Sequence, residues 1–348
     1  MCNMAGYVGR KRAAEVLIDM MLREEGLAGG YFTGIATLED GKVAHAKLVG
    51  DTRRLLDNTN AESLGGNVGI MHSRSKANGT DERAHPFFGR NEKGEVDIAY
   101  IANGCMGHFA SRAAERNEMT KSLMAEGYEM RSRMEVKSAG SHPDLGDGTS
   151  VHVSDTMCQL IYKNIKSGMS SRQAIASAFS TMPGEIAGLL LSPDVQDGVV
   201  FARINMPIFV AYAPHGVYIA STALAFPEDA GEPILLPACS SGIIRADGYE
   251  VFPFEKLPAV IGYPDAEIRS KAYDIICGML SERDCIFADL YKGIDHLFDA
   301  EVYPREPLSY EILHSLKLRG KLSMQNERVD GIVEGIDAPK TRLRLKSE

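Results

Sequence analysis

The chain opens Met1-Cys2-Asn3-Met4-Ala5-Gly6-Tyr7-Val8-Gly9, and no charged residue intervenes before Arg10. A short apolar run broken by glycines suits a strand buried inside a layered core, with the small residues where another backbone comes close. A cysteine directly behind the initiator methionine becomes the chain end once an aminopeptidase removes Met1, which happens when the next side chain is small. Cys2 then carries a thiol and a free α-amine on one residue. The amine, with an ordinary pKa near ~7.7, can take the thiol proton, so base and nucleophile share a residue. Read by itself, the plainer account is that Cys2 merely stands early in the chain, and the remaining sequence has to separate the two.

At 348 residues the chain has room for one large domain plus a small one, or two of moderate size. A net charge of −9 spread along the chain argues against a nucleic-acid or anionic-membrane surface and favours a small-molecule substrate. The six cysteines (Cys2, Cys105, Cys158, Cys239, Cys277 and Cys285) form no CxxC pair. That fits a reducing compartment in which most act as small core hydrophobes. No apolar run reaches membrane-spanning length, and the N-terminus lacks the pattern of a secretory leader, so a cytoplasmic protein is expected. The nine histidines are scattered without an HxxxH or HxH pair, so neither metal nor cofactor is expected.

Residues 11–25 show one apolar face (Ala14, Leu17, Ile18, Met21, Leu22) and predict a helix closed by Gly26. Two β-rich runs, Tyr31–Leu38 and Lys42–Gly50, flank Asp40-Gly41 and read as a hairpin. Asn67–His72 is a further strand delivering His72-Ser73-Arg74-Ser75, and Val96–Ala102 is another, ending at Asn103-Gly104. A helix to about Met130, a Gly-, Ser- and Asp-rich surface excursion over 131–150, and helices at Asp155–Lys166 and 170–182 follow. Ser154 or Asp155 is the expected cap of the helix they precede. Val199–Val210, Gly216–Ser221 and a hairpin around Asp247-Gly248 read as strands. The expectation is an α+β chain with sheets packed face to face under helices. A break at Leu257–Pro264 leads to three helices (Ala266–Leu280, Ile286–Phe298, Tyr310–Arg319) and two β-rich runs at 321–324 and 340–346, the order of a winged-helix unit. No phosphate-binding glycine loop occurs.

In order along the chain stand Cys2 with its glycine-rich strand, His72-Ser73-Arg74, Ala84-His85-Pro86-Phe87, Asn103-Gly104 and Ser154-Asp155-Thr156. This series resembles class II glutamine amidotransferases, in particular the glutaminase domain of glucosamine-6-phosphate synthases, where similar blocks read CGIVG, HTRW, AHP, NG and TDT. Ala202–Ile208 and Ile219–Leu224 resemble that family's later AARxxxPL and IASDxxAL segments. The resemblance covers roughly residues 2–255 and implies an N-terminal-nucleophile sandwich, two stacked antiparallel sheets between helix layers. The implied domains are a glutaminase over 1–257 and a small winged-helix-like docking module over 265–348.

The resemblance also implies roles. Cys2 attacks the side-chain amide of glutamine, and the Asn103 side chain and Gly104 N–H form the oxyanion hole. Arg74 grips the substrate α-carboxylate and Asp155 pairs with its ammonium, while His85 lines the site. The plainer alternatives are a turn at Asn103-Gly104, a surface ion pair at Arg74 and a helix cap at Asp155; the last is compatible with substrate binding. His72 reads as a satisfied strand-end histidine and Cys105 as a buried packing residue. Ser75 and Ala77 stand where the family carries Trp and Thr, which opens a second reading, hydrolysis of another γ-glutamyl amide. About ninety residues follow the match, too few for a sugar-isomerase unit. The expected partner is therefore a separate synthetase or sugar-isomerase subunit that receives ammonia. A third reading, a regulatory or DNA-binding protein with a glutaminase-like sensor, lacks the basic face that nucleic acid requires.

Overall fold

A computed structural model describes residues 2–135, 140, 142–256, 264–298 and 305–346. The first strand, β1, is Asn3–Gly9, and helix α1 (Ala13–Glu24) follows it. The hairpin β2 (Phe32–Glu39) and β3 (Lys42–Val49), helix α2 (Thr52–Asn58) and strand β4 (Val68–Arg74) complete the first part. Asp40 and Gly41 both take left-handed φ values, 50° and 73°, which a two-residue hairpin turn of this hand requires. Next come β5 (Phe87–Arg90), β6 (Val96–Cys105), α3 (Ala113–Ala125) and the two-residue strands β7 (Met134–Glu135) and β8 (Thr149–Ser150). Helices α4 (Val153–Lys166) and α5 (Ser171–Thr181) precede seven strands: β9 (Glu185–Leu191), β10 (Gly198–Arg203), β11 (Phe209–Ala213), β12 (Gly216–Ala220), β13 (Ile234–Leu235), β14 (Ser240–Arg245) and β15 (Gly248–Pro253).

Two sheets result, one ordered β13-β11-β12-β1-β4-β2-β3 and the other β15-β14-β10-β9-β6-β5, with every described pairing antiparallel. The layers follow from which faces are apolar. Met4, Val8, Ile70, Ile101, Leu189 and Phe201 fill the space between the sheets. Leu17, Ile18 and Met21 of α1 cover the outer face of the first sheet, and Ile161, Ile175 and Phe179 of α4 and α5 cover that of the second. β1, apolar on both sides, sits near the middle of its sheet and is buried throughout.

Several local expectations change. The run Val199–Val210 is two strands in different sheets, β10 and β11. Pro207, which has no N–H to give a ladder, lies in the crossover. The apolar run Ile186–Leu191, set between Pro183-Gly184 and Ser192-Pro193, is a central strand that the sequence reading passed over. The helix before 131–150 stops at Ala125. The cap of α4 is neither Ser154 nor Asp155 but His152, whose side chain accepts from the Ser154 N–H.

The C-terminal unit contains α6 (Ala266–Glu282), α7 (Phe287–Gly293), α8 (Arg305–Leu318) and a ribbon of β16 (Leu322–Asp330) and β17 (Asp337–Leu345). Most of the expected break, residues 257–263, lies outside the described residues, as does Pro304. The unit has its own core (Ile276, Leu280, Phe287, Leu290, Leu313, Leu316, Leu343), and Leu27 and Leu224 of the first unit are built into it. The Thr341 N–H donates to the Gly26 carbonyl at 3.0 Å and Lys317 Nζ donates to the Leu224 carbonyl at 3.1 Å, so ribbon and helix α8 both clasp the sandwich.

Candidate active site

The register of β1 against β4 pairs Met4 with His72 and Asn3 with Ser73. Side chains alternate across a strand, so Cys2, Met4, His72 and Arg74 share one face. Met4 belongs to the core between the sheets, and that face therefore looks across at β6. From β6, fully buried Asn103 reaches back: its Oδ1 accepts from the main-chain N–H of Cys2 at 2.9 Å. Its Nδ2 is buried without a partner, a donor held ready beside the thiol. Gly104 has φ +137°, and a Cβ there would lie 1.9 Å from the Glu185 carbonyl oxygen, so this position excludes any side chain.

Cys2 is 8% exposed. Burial pushes its pKa up, but the hydrogen bond and charge of the His72 imidazole, with the Ser75 backbone N–H, more than offset this and bring it to about 6. Ser75 Oγ lies 3.9 Å from the sulfur. His72 itself is buried, with Nε2 3.0 Å from the Ala102 carbonyl oxygen.

Four of the nine histidines converge here. Ring centres are 3.9 Å apart for His72–His85, 5.2 Å for His85–His152 and 4.4 Å for His142–His152. Burial, then the nearby cation of Arg74 and the neighbouring rings, hold His85 and His152 well below the ordinary imidazole range, so both stay neutral. Arg74 is buried with them, its guanidinium 5.1 Å from the Phe32 ring centre, 3.3 Å from the Arg83 carbonyl and 3.4 Å from His142 Nε2. Among the described residues it forms no ion pair. A buried cation without an anion is costly, and this one is ready for a carboxylate.

Asp155 stands on the far side of the histidines in the first turn of α4. Its Oδ2 accepts from the Ser132 N–H and hydroxyl at 3.0 and 2.7 Å, and its Oδ1 accepts from Gln159 Nε2 at 3.3 Å. Burial raises its pKa against these donors. With Lys47, Phe88, Gln159 and Tyr162 it lines a cavity of about 510 Å³. A second cavity of about 250 Å³ opens between Tyr31, Ser75 and Lys76 of the sandwich and Phe287 and Tyr291 of the C-terminal unit.

Of the residues singled out in the sequence, Cys2, Arg74, Asn103 and Gly104 come together, and His85 joins them through His72. Asp155 lies one shell away with its carboxylate turned to Ser132 and Gln159. The period-two alternation that sets Arg74 beside Cys2 also marks His72. His142 and His152 carried no sequence signal: the first arrives when the excursion at 131–150 folds back, and the second as the cap of α4. Cys105 is exposed, not buried; partial desolvation, then the Glu185 and Glu306 carboxylates, push its thiol up to about 11, which leaves it unactivated. No group of three or more His, Cys, Asp or Glu among the described residues could hold a metal ion.

No protein-family model matches the chain. Among curated proteins it is 28% identical over 353 residues to the glutamine–fructose-6-phosphate aminotransferase of Chlorobaculum tepidum, covering 99% of this chain and 49% of that protein. It is 27% identical over 260 residues to the Clostridium perfringens enzyme of the same name, covering 74% and 37%. The chain thus spans less than half the length of these relatives. Among solved structures, glutamine phosphoribosylpyrophosphate amidotransferase from B. subtilis matches at TM-score 0.59 and 16% identity, over 85% of this chain and 64% of that one. The allosteric regulatory enzyme of purine biosynthesis matches at TM-score 0.58 and 16% identity, over 81% and 59%. The chain is thus similar in sequence to these aminotransferases and shares its fold with the amidotransferase structures.

Proposed function

We propose that the chain is a glutaminase. Cys2 attacks the side-chain amide of glutamine, ammonia leaves, and water hydrolyses the resulting γ-glutamyl thioester to glutamate. One observation carries the reading: the 2.9 Å bond from Cys2 to Asn103 Oδ1 sets the unused Nδ2 donor of the same amide beside the thiol. That donor, with the Gly104 N–H, would receive the developing oxyanion. Arg74, a buried cation without a carboxylate among the described residues, would take the substrate α-carboxylate, with His85 forming the wall. Asp155 would hold the ammonium after releasing a donor such as Gln159. The test is incubation of the purified chain with glutamine: glutamate and ammonia should appear in equal amounts, and Cys2→Ala should abolish both. A Cys2→Ala protein with full activity sinks the proposal.

A second reading keeps this chemistry and changes the substrate to another γ-glutamyl amide. Ser75, whose Oγ lies 3.9 Å from the Cys2 sulfur, favours it, because a small side chain there leaves room for a substituent on the amide nitrogen. A higher kcat/KM for a γ-glutamyl alkylamide than for glutamine would establish it.

The C-terminal unit is read as a winged-helix-like docking module, and the ammonia acceptor as a separate synthetase or sugar-isomerase subunit. The glutaminase and module boundaries, 1–257 and 265–348, belong to the same proposal. DNA binding is disfavoured because Lys317 of α8 is turned onto the sandwich, donating to Leu224. Tight, salt-sensitive gel shifts would reverse that ranking. No described helix is long and apolar enough to cross a membrane.

A further inference from the structure

We infer that His142 is a substrate-binding residue of this site: its Nε2–H and the Arg74 guanidinium together hold the substrate α-carboxylate, a clamp between the end of β4 and the excursion over 131–150. The inference deepens the glutaminase reading and rests on it for the identity of that carboxylate.

Two donors meet one imidazole. The Val153 N–H donates to His142 Nδ1 at 3.3 Å, and Arg74 Nη2 lies 3.4 Å from Nε2 of the same ring. A neutral imidazole has a single lone pair, so only one of these contacts is a hydrogen bond. The backbone takes it. Val153 is the first residue of α4, and an N–H at that position has no acceptor within its own helix. The guanidinium has five donors and already directs Nη1 to the Arg83 carbonyl at 3.3 Å. Nδ1 therefore bears the lone pair and Nε2 the hydrogen, so a donor on the ring faces a donor on Arg74. An acceptor between them satisfies both. Two nitrogens 3.4 Å apart can share one carboxylate oxygen, each at about 2.8–3.0 Å from it.

The surroundings call for an anion at this place. Arg83 is 3% exposed, gives Nη2 to Ser150 Oγ at 3.2 Å and keeps its Nε buried without a partner. Neither Arg74 nor Arg83 has an ion pair among the described residues. Asp155, the acid whose charge reaches Arg83, is turned to Ser132 and Gln159. Burial first, then the charges of Arg83 and Arg74, bring the His142 imidazole down to about 3, so the ring is neutral and donates through Nε2 alone. His152 backs it: the ring centres are 4.4 Å apart, and His152 Nδ1 accepts from the Ser154 N–H at 3.1 Å. Both rings are thus tied to the first turn of α4, which holds His142 in position before substrate arrives.

The experiment is steady-state hydrolysis of L-glutamine and of 4-aminobutanamide, which lacks the α-carboxylate, by the full chain and two variants. His142→Asn keeps an acceptor near the place of Nδ1 for the Val153 N–H and removes the donor at the place of Nε2. His142→Gln, with its longer amide, returns an N–H there. His142→Asn should raise KM for glutamine ~10-fold or more, the effect of one hydrogen bond to a charged group, with kcat little changed and 4-aminobutanamide unaffected. His142→Gln should recover part of the loss. An unchanged KM in folded His142→Asn, or equal losses on the two amides, overturns the inference. If that variant does not fold, ¹⁵N-histidine NMR of the wild type decides. His142 must be an Nε2–H ring whose Nε2 signal moves when L-glutamate is added; a ring protonated at Nδ1, or one that ignores glutamate, overturns the clamp. Wild type that fails to hydrolyse glutamine sinks the glutaminase reading. The clamp is then judged by the same signal with acetate as the carboxylate, and an unmoved signal overturns it.

Discussion

Cys2 and Asn103 are joined across the two sheets: the N–H of the one donates to the Oδ1 of the other at 2.9 Å. The Asn103 oxygen fixes the Cys2 backbone, while the nitrogen of the same amide is buried and unpaired; in the proposed reaction that nitrogen would meet the substrate. Asn103→Asp keeps the acceptor and removes the donor. We expect kcat for glutamine hydrolysis to fall by ~10²–10³, the usual cost of one oxyanion donor, with KM changed far less. Steady-state kinetics on the variant check this, and an unaltered kcat would remove Asn103 from the reaction.

Arg74 is buried among neutral rings without an ion pair among the described residues. Arg74→Met should raise KM for glutamine by ~30-fold or more, since losing a charge-assisted pair costs at least ~2 kcal/mol. The same variant should barely affect 4-aminobutanamide, which has no α-carboxylate. Equal losses on the two amides would show that Arg74 has another role.

Glu25 lies beneath the site, accepting from the Ser73 hydroxyl at 2.7 Å and the Thr52 N–H at 3.1 Å. Burial outweighs these donors and raises its pKa from 4.5 to about 7. Between those values the folded chain holds a proton that the unfolded chain releases, so stability falls as pH rises from about 4.5 to about 7 and is level above. The loss should be on the order of 3 kcal/mol. Urea unfolding at pH 5, 6 and 7.5 should show the stability gap between wild type and Glu25→Gln changing by that order. A gap independent of pH would contradict it.

Gly104→Ala tests the second half of the proposed oxyanion hole. At φ +137° with the Glu185 carbonyl 1.9 Å from the new Cβ, β6 must part from β9. A loss of several kcal/mol, beyond the ~1 kcal/mol of an ordinary glycine replacement, should appear as a much lower melting temperature. A variant as stable as wild type would mean the strands separate there at little cost.

Local pattern made much of this legible. β1, the hairpin at Asp40-Gly41 and helix α1 follow from apolar periodicity and turn chemistry, which act over a few residues. The ordered blocks around Cys2, Arg74 and Asn103-Gly104 marked one site because each sits at a strand end facing the same gap. The surface reading of 131–150 was incomplete: Ser132 caps the Asp155 carboxylate and His142 meets Arg74, contacts with no short-range signature.

By itself, then, the sequence determined that a cysteine would lead a buried strand and that an arginine, an asparagine and a glycine would stand at strand ends, since burial and alternation are local rules. Only the tertiary structure decided that Asn103 reaches across the sheets to the Cys2 backbone, that four histidines gather around Arg74, and that the last ribbon clasps the loop after α1. Those relations depend on the register between strands and the stacking of two sheets, and no window of the sequence encodes either alone.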